Sequence, residues 1–336
     1  MAVLVTGGAG YIGSHMVLAL RDRGEAVVVL DNLATGRREA VPEDVPLVVG
    51  SVADRGLVDA VIARHGVREI AHFAGSIVVP DSVADPLAYY ANNTLASHAL
   101  ISAAVASGIG GFIFSSTAAV YGAGEGKPIR EDAPTRPESP YGWSKLMTEV
   151  MLRDADAAYG LPHVCLRYFN VAGADPAGRA GQATPRATHL IKVACEAATG
   201  QREGIAIFGT DYPTPDGTCL RDYIHVSDLI AAHLAALDHL RAGGASLTLN
   251  CGYGRGHSVR EVVEAVGRAA GRPIAVTEGP RRPGDVAVVV ADAERIREEL
   301  GWRPAHDDLD RIVHDALAWE RRMQATTFTD AKGLPR

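Results

Sequence analysis

Thr6-Gly7-Gly8-Ala9-Gly10-Tyr11-Ile12-Gly13 is the stretch on which the fold turns. It follows an apolar run, A-V-L-V, and opens a segment, S-H-M-V-L-A-L-R-D-R-G, with helical periodicity that closes on Gly24. The string satisfies G-x-G-x-x-G through Gly8, Gly10 and Gly13, and G-x-x-G-x-x-G through Gly7, Gly10 and Gly13. Glycines in a strand-to-helix turn let the backbone approach a pyrophosphate, which the free N–H groups and positive dipole end of the helix then hold. A second β-branched run, A-V-V-V-L, ends at Asp31, eighteen residues beyond Gly13. A carboxylate there accepts hydrogen bonds from the adenosine ribose and repels a 2′-phosphate, so NAD is expected in preference to NADP. Arg37 and Arg38 follow Asp31 without replacing it.

Further short runs continue the pattern: P-L-V-V, E-I-A-H-F, G-F-I-F-S and H-V-C-L-R, with helical stretches between them. Continuous apolar runs of this length suit strands buried on both faces, as in a parallel sheet sandwiched by helices. The expected fold is therefore a doubly wound α/β sheet of the Rossmann type. After Asn170 the texture changes to turn-rich loops at 173–188 and 209–218, interleaved with helices and short strands. Residues 1–172 are expected to form the dinucleotide-binding domain, with 222–252 returning to it, and 173–336 a smaller mixed α/β substrate lobe.

Composition supports a folded chain and disfavours two classes of partner. Of 336 residues, 47% are hydrophobic and 22% charged, enough to bury a core. Lys plus Arg is 33 against 40 Asp plus Glu, a formal charge of −7, which disfavours nucleic acid or an anionic membrane as partner. No apolar run reaches the roughly 18 to 20 residues that span a bilayer, and M-A-V-L-V-T-G-G lacks the basic flank of a secretory leader. A cytoplasmic location is expected. Cys165, Cys195, Cys219 and Cys251 have neither metal-ligand nor disulfide spacing, and the 12 histidines form no H-E-x-x-H cluster, so no catalytic metal is expected.

Tyr141-Gly142-Trp143-Ser144-Lys145 carries the second chemical signal. Residues i and i+4 of a helix share a face, so the phenol and the ammonium can enter one site. A free tyrosine, with a pKa of about 10, is a poor base at neutral pH. Lowering it by about 3 units takes roughly 4 kcal/mol, about what a cation near 4 Å supplies at an effective dielectric of 20. Ser115-Ser116-Thr117 ends the run G-F-I-F, and a hydroxyl at the carboxyl end of a central strand lies where open α/β sheets bind ligands. Thr117 is placed to bridge a substrate hydroxyl and Tyr141.

The ordered set T-G-G-A-G-Y-I-G, D-N-L, H-F-A-G, N-N-T, F-S-S-T-A-A-V-Y-G, S-P-Y-G-W-S-K, L-R-Y-F-N, R-D-Y-I-H-V and R-R-P-G-D spans nearly the whole chain. It resembles the extended short-chain dehydrogenase/reductases and, within them, the branch that epimerises UDP-hexoses at C4. The resemblance implies a tightly held NAD lined by Gly7, Gly10, Tyr11, Ile12, Gly13, Asp31, Asn32, Ser51, Val52, Phe73, Ala74, Gly75, Asn92, Tyr141, Lys145 and Phe169. It implies interconversion of UDP-glucose and UDP-galactose through a 4-keto sugar. In that reading Tyr141 takes the proton of the sugar 4-hydroxyl, Lys145 holds the nicotinamide ribose and lowers the Tyr141 pKa, and Thr117 bridges to O4. Asn170, Leu190, Arg221, Arg282 and Asp285 fall on positions for the UDP moiety, with Ala206, Ile207 and Phe208 passing beside the uracil. A homodimer built from helices around Ala88–Ser107 and Tyr141–Tyr159 is implied in the same way.

Several residues depart from the family pattern. Ile77 stands where some relatives carry a lysine that reaches the cofactor phosphates, and Ser51 where an Asp often meets the adenine. Thr188-His189 replaces an Asn pair ahead of Leu190, and Thr117 stands for the more usual serine. Val289 replaces a tyrosine that closes the sugar pocket, which would leave room for an N-acetyl group and admit UDP-N-acetylhexosamines. Ala118 and Ala119 occupy the places where a 4,6-dehydratase needs its carboxylates. An epimerase or decarboxylase of UDP-glucuronate, or a UDP-xylose/arabinose epimerase, differs only in the pocket loops. A non-catalytic NAD-sensing module is the remaining alternative, and it has no need of the Thr117, Tyr141 and Lys145 set.

Overall fold

The computed structural model describes residues 2–123, 126–184, 187–282 and 285–332. Pro283 and Gly284, the middle of R-R-P-G-D, and Pro185 and Arg186 in the 173–188 loop lie outside the described residues. The elements in chain order begin with β1 (Ala2–Thr6), α1 (Tyr11–Asp22), β2 (Ala26–Asp31), β3 (Leu47–Val49), α2 (Arg55–His65) and β4 (Val67–His72). There follow α3 (Val79–Ala84), α4 (Pro86–Tyr89), α5 (Ala96–Ala106), β5 (Gly111–Thr117), α6 (Pro140–Tyr159), β6 (His163–Tyr168) and β7 (Asn170–Ala172). The remainder comprises α7 (Leu190–Ala198), β8 (Ile205–Phe208), β9 (Leu220–His225), α8 (Val226–Arg241), β10 (Leu247–Cys251), β11 (Gly256–Ser258), α9 (Val259–Ala270), β12 (Val276–Gly279), β13 (Val288–Val289), α10 (Glu294–Leu300) and α11 (Leu309–Lys332).

Seven strands form a wholly parallel sheet in the order β10-β6-β5-β4-β1-β2-β3. Its strands are buried on both faces because their side chains alternate between two apolar layers. Val3 and Val5 of β1 pack with Met16, Leu20, Leu229 and Leu237 of α1 and α8, while Leu4 packs on the other side with Val58, Leu100, Phe112 and Leu152. This accounts for the unbroken A-V-L-V and G-F-I-F runs, since neither face meets water. The strand order reverses between β1 and β4, and that switch point opens a crevice at the carboxyl ends of both strands.

A smaller sheet has β9 at its centre, paired with β7 and β13 in parallel and with β11 antiparallel. β12 pairs with β8 beside it. Helices α7, α9 and α11 supply its core through Ala194, Val262, Val266, Val313 and Leu317. The chain crosses back at α8, which packs on α1, and at β10, which pairs with β6 at the edge of the large sheet. Among the described residues, no helix is long and apolar enough to cross a membrane.

Candidate active site

The glycine turn is packed too tightly for any side chain at its key positions. Gly7 has φ +70°, and a Cβ there would lie 2.6 Å from Ala74 N; a Cβ on Gly13 would lie 2.2 Å from Gly7 O. Gly10 caps α1 with extended backbone and no side-chain hydrogen bond, so the first-turn N–H groups face the crevice without a capping side chain. Asp31 is buried at the end of β2, its two oxygens accepting from Ala9 N at 2.9 Å and Leu33 N at 2.8 Å. An ionised carboxylate has about four acceptor positions, so two remain for a ribose diol. Asn32 is exposed beside it, its side chain accepting from Ala34 N at 3.0 Å. Arg37 is exposed and lies 3.6 Å from Glu39. This cradle fits a dinucleotide.

Two residues assigned to the cofactor differ from expectation in how they can act. Val52 is buried in the core under the sheet, so only its backbone can meet a ligand. The Ser51 hydroxyl accepts from Ala53 N at 3.1 Å within its own turn, which leaves its proton and one lone pair for an outside partner. Phe73 continues from β4, donating its N–H to Thr6 O, and Gly75 approaches both Asn93 and Lys145: a Cβ there would sit 3.6 Å from Lys145 Nζ. Asn92 is exposed, its amide donating to Ser76 Oγ at 2.9 Å. Its neighbour Asn93 is the buried one, tying Ser76 to Ser144 of α6. Both lie in a π-helical turn over Tyr90–Leu95, whose widened spacing turns one asparagine inward and leaves the other exposed.

Thr117, Tyr141 and Lys145 meet at the carboxyl end of β5. Ser139 caps α6 by accepting from Gly142 N, which starts the helix one turn ahead of the lysine. Tyr141 lies beside the Thr117 side chain, whose hydroxyl favours the phenolate, while Thr117 Oγ1 itself accepts from Ala119 N at 3.1 Å. Lys145 Nζ donates to Ser115 O at 3.0 Å and lies 5.0 Å from the centre of the Phe114 ring. The expected acidic phenol is not found in the chain alone. Burial pushes Tyr141 up to about 12, partly offset by Thr117. Burial likewise pulls Lys145 down to about 8. Desolvation is the largest cause at both groups, Lys145 being buried and Tyr141 half-buried. Phe169 is half-buried between the main core and the Ala118–Val120 cluster, and Val289 packs on that same cluster.

The residues assigned to the nucleotide half of the substrate lie on β7, the start of α7, β8, β9 and the segment after β12. Arg221 Nη2 donates to Asp285 Oδ1 at 2.8 Å, and the Arg282 guanidinium stacks 4.0 Å above the Phe208 ring. Asn170, opposite Tyr223 on β9, donates to Asp222 O at 3.2 Å. Asn170 and Leu190 also line a small pocket with His189, Lys192 and Trp319. Ala206 and Phe208 face outward, but Ile207 points into the core at 1% exposure, so its side chain cannot meet a base. The β period of two explains the split. Ile77 is 43% exposed, leaving no cation at that point. Among the described residues, no cluster of three or more His, Cys, Asp or Glu is arranged to hold a metal, and all four cysteines are free and buried.

A parallel Rossmann sheet, a glycine cradle with its acidic partner and a Thr-Tyr-Lys set at the next strand define a dinucleotide-dependent enzyme of the short-chain dehydrogenase type. Residues 3–252 match the NAD dependent epimerase/dehydratase family, and the chain belongs to that family. It is 63% identical to the UDP-glucose 4-epimerase of Azospirillum brasilense over 96% of this chain and 92% of that protein. The crystal structure of the Brucella ovis UDP-glucose 4-epimerase in complex with NAD superposes with a TM-score of 0.92 at 43% identity, covering 94% of this chain and 97% of that one. The UDP-Glc/GlcNAc 4-epimerase of Campylobacter jejuni superposes with a TM-score of 0.84 at 45% identity, covering 96% and 99%.

Proposed function

We infer that this chain interconverts UDP-glucose and UDP-galactose, with NAD kept in the crevice between β1 and β4. The observation that carries the reading is Thr117 beside Tyr141, with Lys145 one helical turn further on and donating to Ser115 O, next to the glycine cradle. Bound NAD supplies the hydride exchange at sugar C4 and, while oxidised, a positive charge. Tyr141 takes the proton of the 4-hydroxyl and returns it after the sugar has turned, and Thr117 orients that hydroxyl. Bringing the phenol from about 12 to neutrality takes roughly 7 kcal/mol. A cation near 4 Å is worth about 4 kcal/mol at an effective dielectric of 20, so the shift would need both the Lys145 ammonium and the positive charge of a bound, oxidised nicotinamide. Lys145, with its pKa near 8, remains an ammonium at pH 7.

Arg221 and Arg282 suit a diphosphate because a guanidinium donates in bidentate fashion without losing charge. Anchoring the nucleotide end leaves the sugar as the mobile end, which the exchange of faces at C4 requires. Asp285, paired with Arg221, is available to a ribose hydroxyl, and Ala206 and Phe208 to the base. The small Val289 side chain leaves room for an N-acetyl group, so UDP-N-acetylglucosamine is a second substrate. A kcat/KM for it more than about a hundredfold below that for UDP-glucose would remove this extension. Residues 1–172 with 222–252 act as the cofactor domain and the rest of 173–336 as the substrate lobe, in a cytoplasmic enzyme. A homodimer is supported by apolar side chains left open on α3 to α6: Val83, Leu87 and Leu95 are each more than 60% exposed, with Trp143 and Met147 beside them.

The deciding experiment incubates purified protein with UDP-galactose and no added NAD. UDP-glucose forms at a rate that Tyr141→Phe lowers by about 10² to 10⁴. Full activity in that variant removes Tyr141 as the base.

A further inference from the structure

We propose that the buried Glu149–Arg167 ion pair, joined to Ser116, is a positioning device for the Tyr141–Thr117 pair: it locks the register of helix α6 against strand β5. This rests on Tyr141 being the proton-transfer group. Tyr141, Lys145 and Glu149 follow each other at four-residue intervals along one face of α6. Three successive residues of β5 answer them. Thr117 lies beside the Tyr141 hydroxyl, Ser115 O accepts from Lys145 Nζ, and the Ser116 hydroxyl donates to Glu149.

Glu149 is the only one of the three whose charge is met by a side chain from a second strand. Arg167 lies opposite Ser116 in the β5–β6 ladder, and its Nη2 reaches Glu149 Oε2 at 2.6 Å while its Nε meets both carboxylate oxygens. Both side chains are below 10% exposure. Arg167 Nη1 continues to the Tyr121 hydroxyl at 2.9 Å, and that hydroxyl donates to Asn250 of β10 at 2.7 Å. Elsewhere α6 rests on β5 through Leu152, Ala155, Phe112 and Phe114. Such contacts are strong but non-directional and hold a helix to the sheet without setting its position along the strand. The directional bonds at Ser116 and Arg167 do that. A displacement of about 1 Å at a reacting group can cost about a hundredfold in rate. The pair neutralises itself locally and touches neither the phenol nor the ammonium, so its action is geometric.

The test compares Ser116→Ala, Glu149→Gln and Arg167→Lys with the parent, measuring kcat per bound NAD, KM for UDP-galactose, NAD content and Tm. The expected result is a fall in kcat of about tenfold or more in Glu149→Gln and several-fold in Ser116→Ala, with KM within twofold and NAD retained. Arg167→Lys restores part of what Arg167→Met loses. If Tm falls while kcat per bound NAD stays within twofold in Glu149→Gln and Ser116→Ala, the pair is purely structural and the proposal is overturned. Tyr141→Phe runs alongside. An active Tyr141→Phe enzyme overturns the underlying reading and this proposal with it. An inactive one, with an unchanged Glu149→Gln, overturns the proposal alone.

Discussion

At the N-terminus of α1 the chemistry proposed to hold the cofactor is presented by main chain, whereas along β8, β9 and at Arg282 and Asp285 the chemistry proposed to hold the UDP moiety is presented by long side chains. The cradle of Gly7, Gly10 and Gly13 works through what is missing: each absent Cβ leaves space that a neighbouring backbone atom already crowds. The second region works through guanidinium groups that reach their partners from separate elements, Arg221 from β9 to Asp285 and Arg282 onto Phe208. A main-chain site is rigid and intolerant, because any substitution collides with backbone. A side-chain site is adjustable and graded, because each group adds a separable contribution. The Thr117, Tyr141 and Lys145 set lies between the two, with side chains as reagents and helix and strand backbone fixing their approach.

The largest effect expected from that contrast is at Gly13. Gly13→Val places a Cβ within 2.2 Å of Gly7 O, so NAD retention and activity are lost together. The check is cofactor content of the purified variant, and a Gly13→Val enzyme that keeps NAD would erase the distinction between the two regions.

Lys145→Met comes next and acts in two directions. Activity falls by about a hundredfold or more, while the folded chain becomes more stable by about 3 kcal/mol at pH 7, because a buried ammonium lowered from 10.5 to about 8 is no longer carried. The sign follows from linkage. The folded state releases this proton near pH 8 and the unfolded state near 10.5, so the parent gains stability as pH rises through that window. Denaturant titrations at pH 7 and pH 10 check this, and the Met variant lacks the slope. Parent activity declines above about pH 8 as the ammonium is lost.

Arg221→Met is the graded case. Losing one charge-assisted contact raises KM for the UDP-sugar by about 10- to 100-fold with NAD content unchanged. A fall in bound NAD instead would mean that the two regions are not separable. The smallest effect is at Arg281, next in sequence to Arg282 but exposed and paired with Asp211 at 2.7 Å. Arg281→Ala changes KM by less than about twofold, as exposed pairs contribute little, so steady-state kinetics on both arginines sharpens the comparison.

Legibility in the sequence follows the same division. The glycine turn, Asp31 and the Tyr141–Lys145 spacing are local patterns whose geometry comes from the α- and β-repeats, and each stands where the patterns required. Ile207 and Val52 fall at positions that the resemblance assigns to ligands, yet their side chains face the core, since strand alternation and packing decide orientation one residue at a time. Glu149 had a signal, the continued four-residue spacing from Tyr141 and Lys145. Its partner Arg167 sits on another strand, and only the β5–β6 register brings them together.

The order of strands and helices, the dinucleotide turn and the residues capable of proton transfer are determined by the sequence alone, because they depend on periodicity and on contacts within a few residues. The protonation balance of Tyr141 and Lys145, the facing of Ile207 and the pairing of Arg221 with Asp285 are decided only by the tertiary structure. Burial and the approach of distant charges depend on which segments fold onto one another, and these set both the cost of a charge and the direction of a side chain.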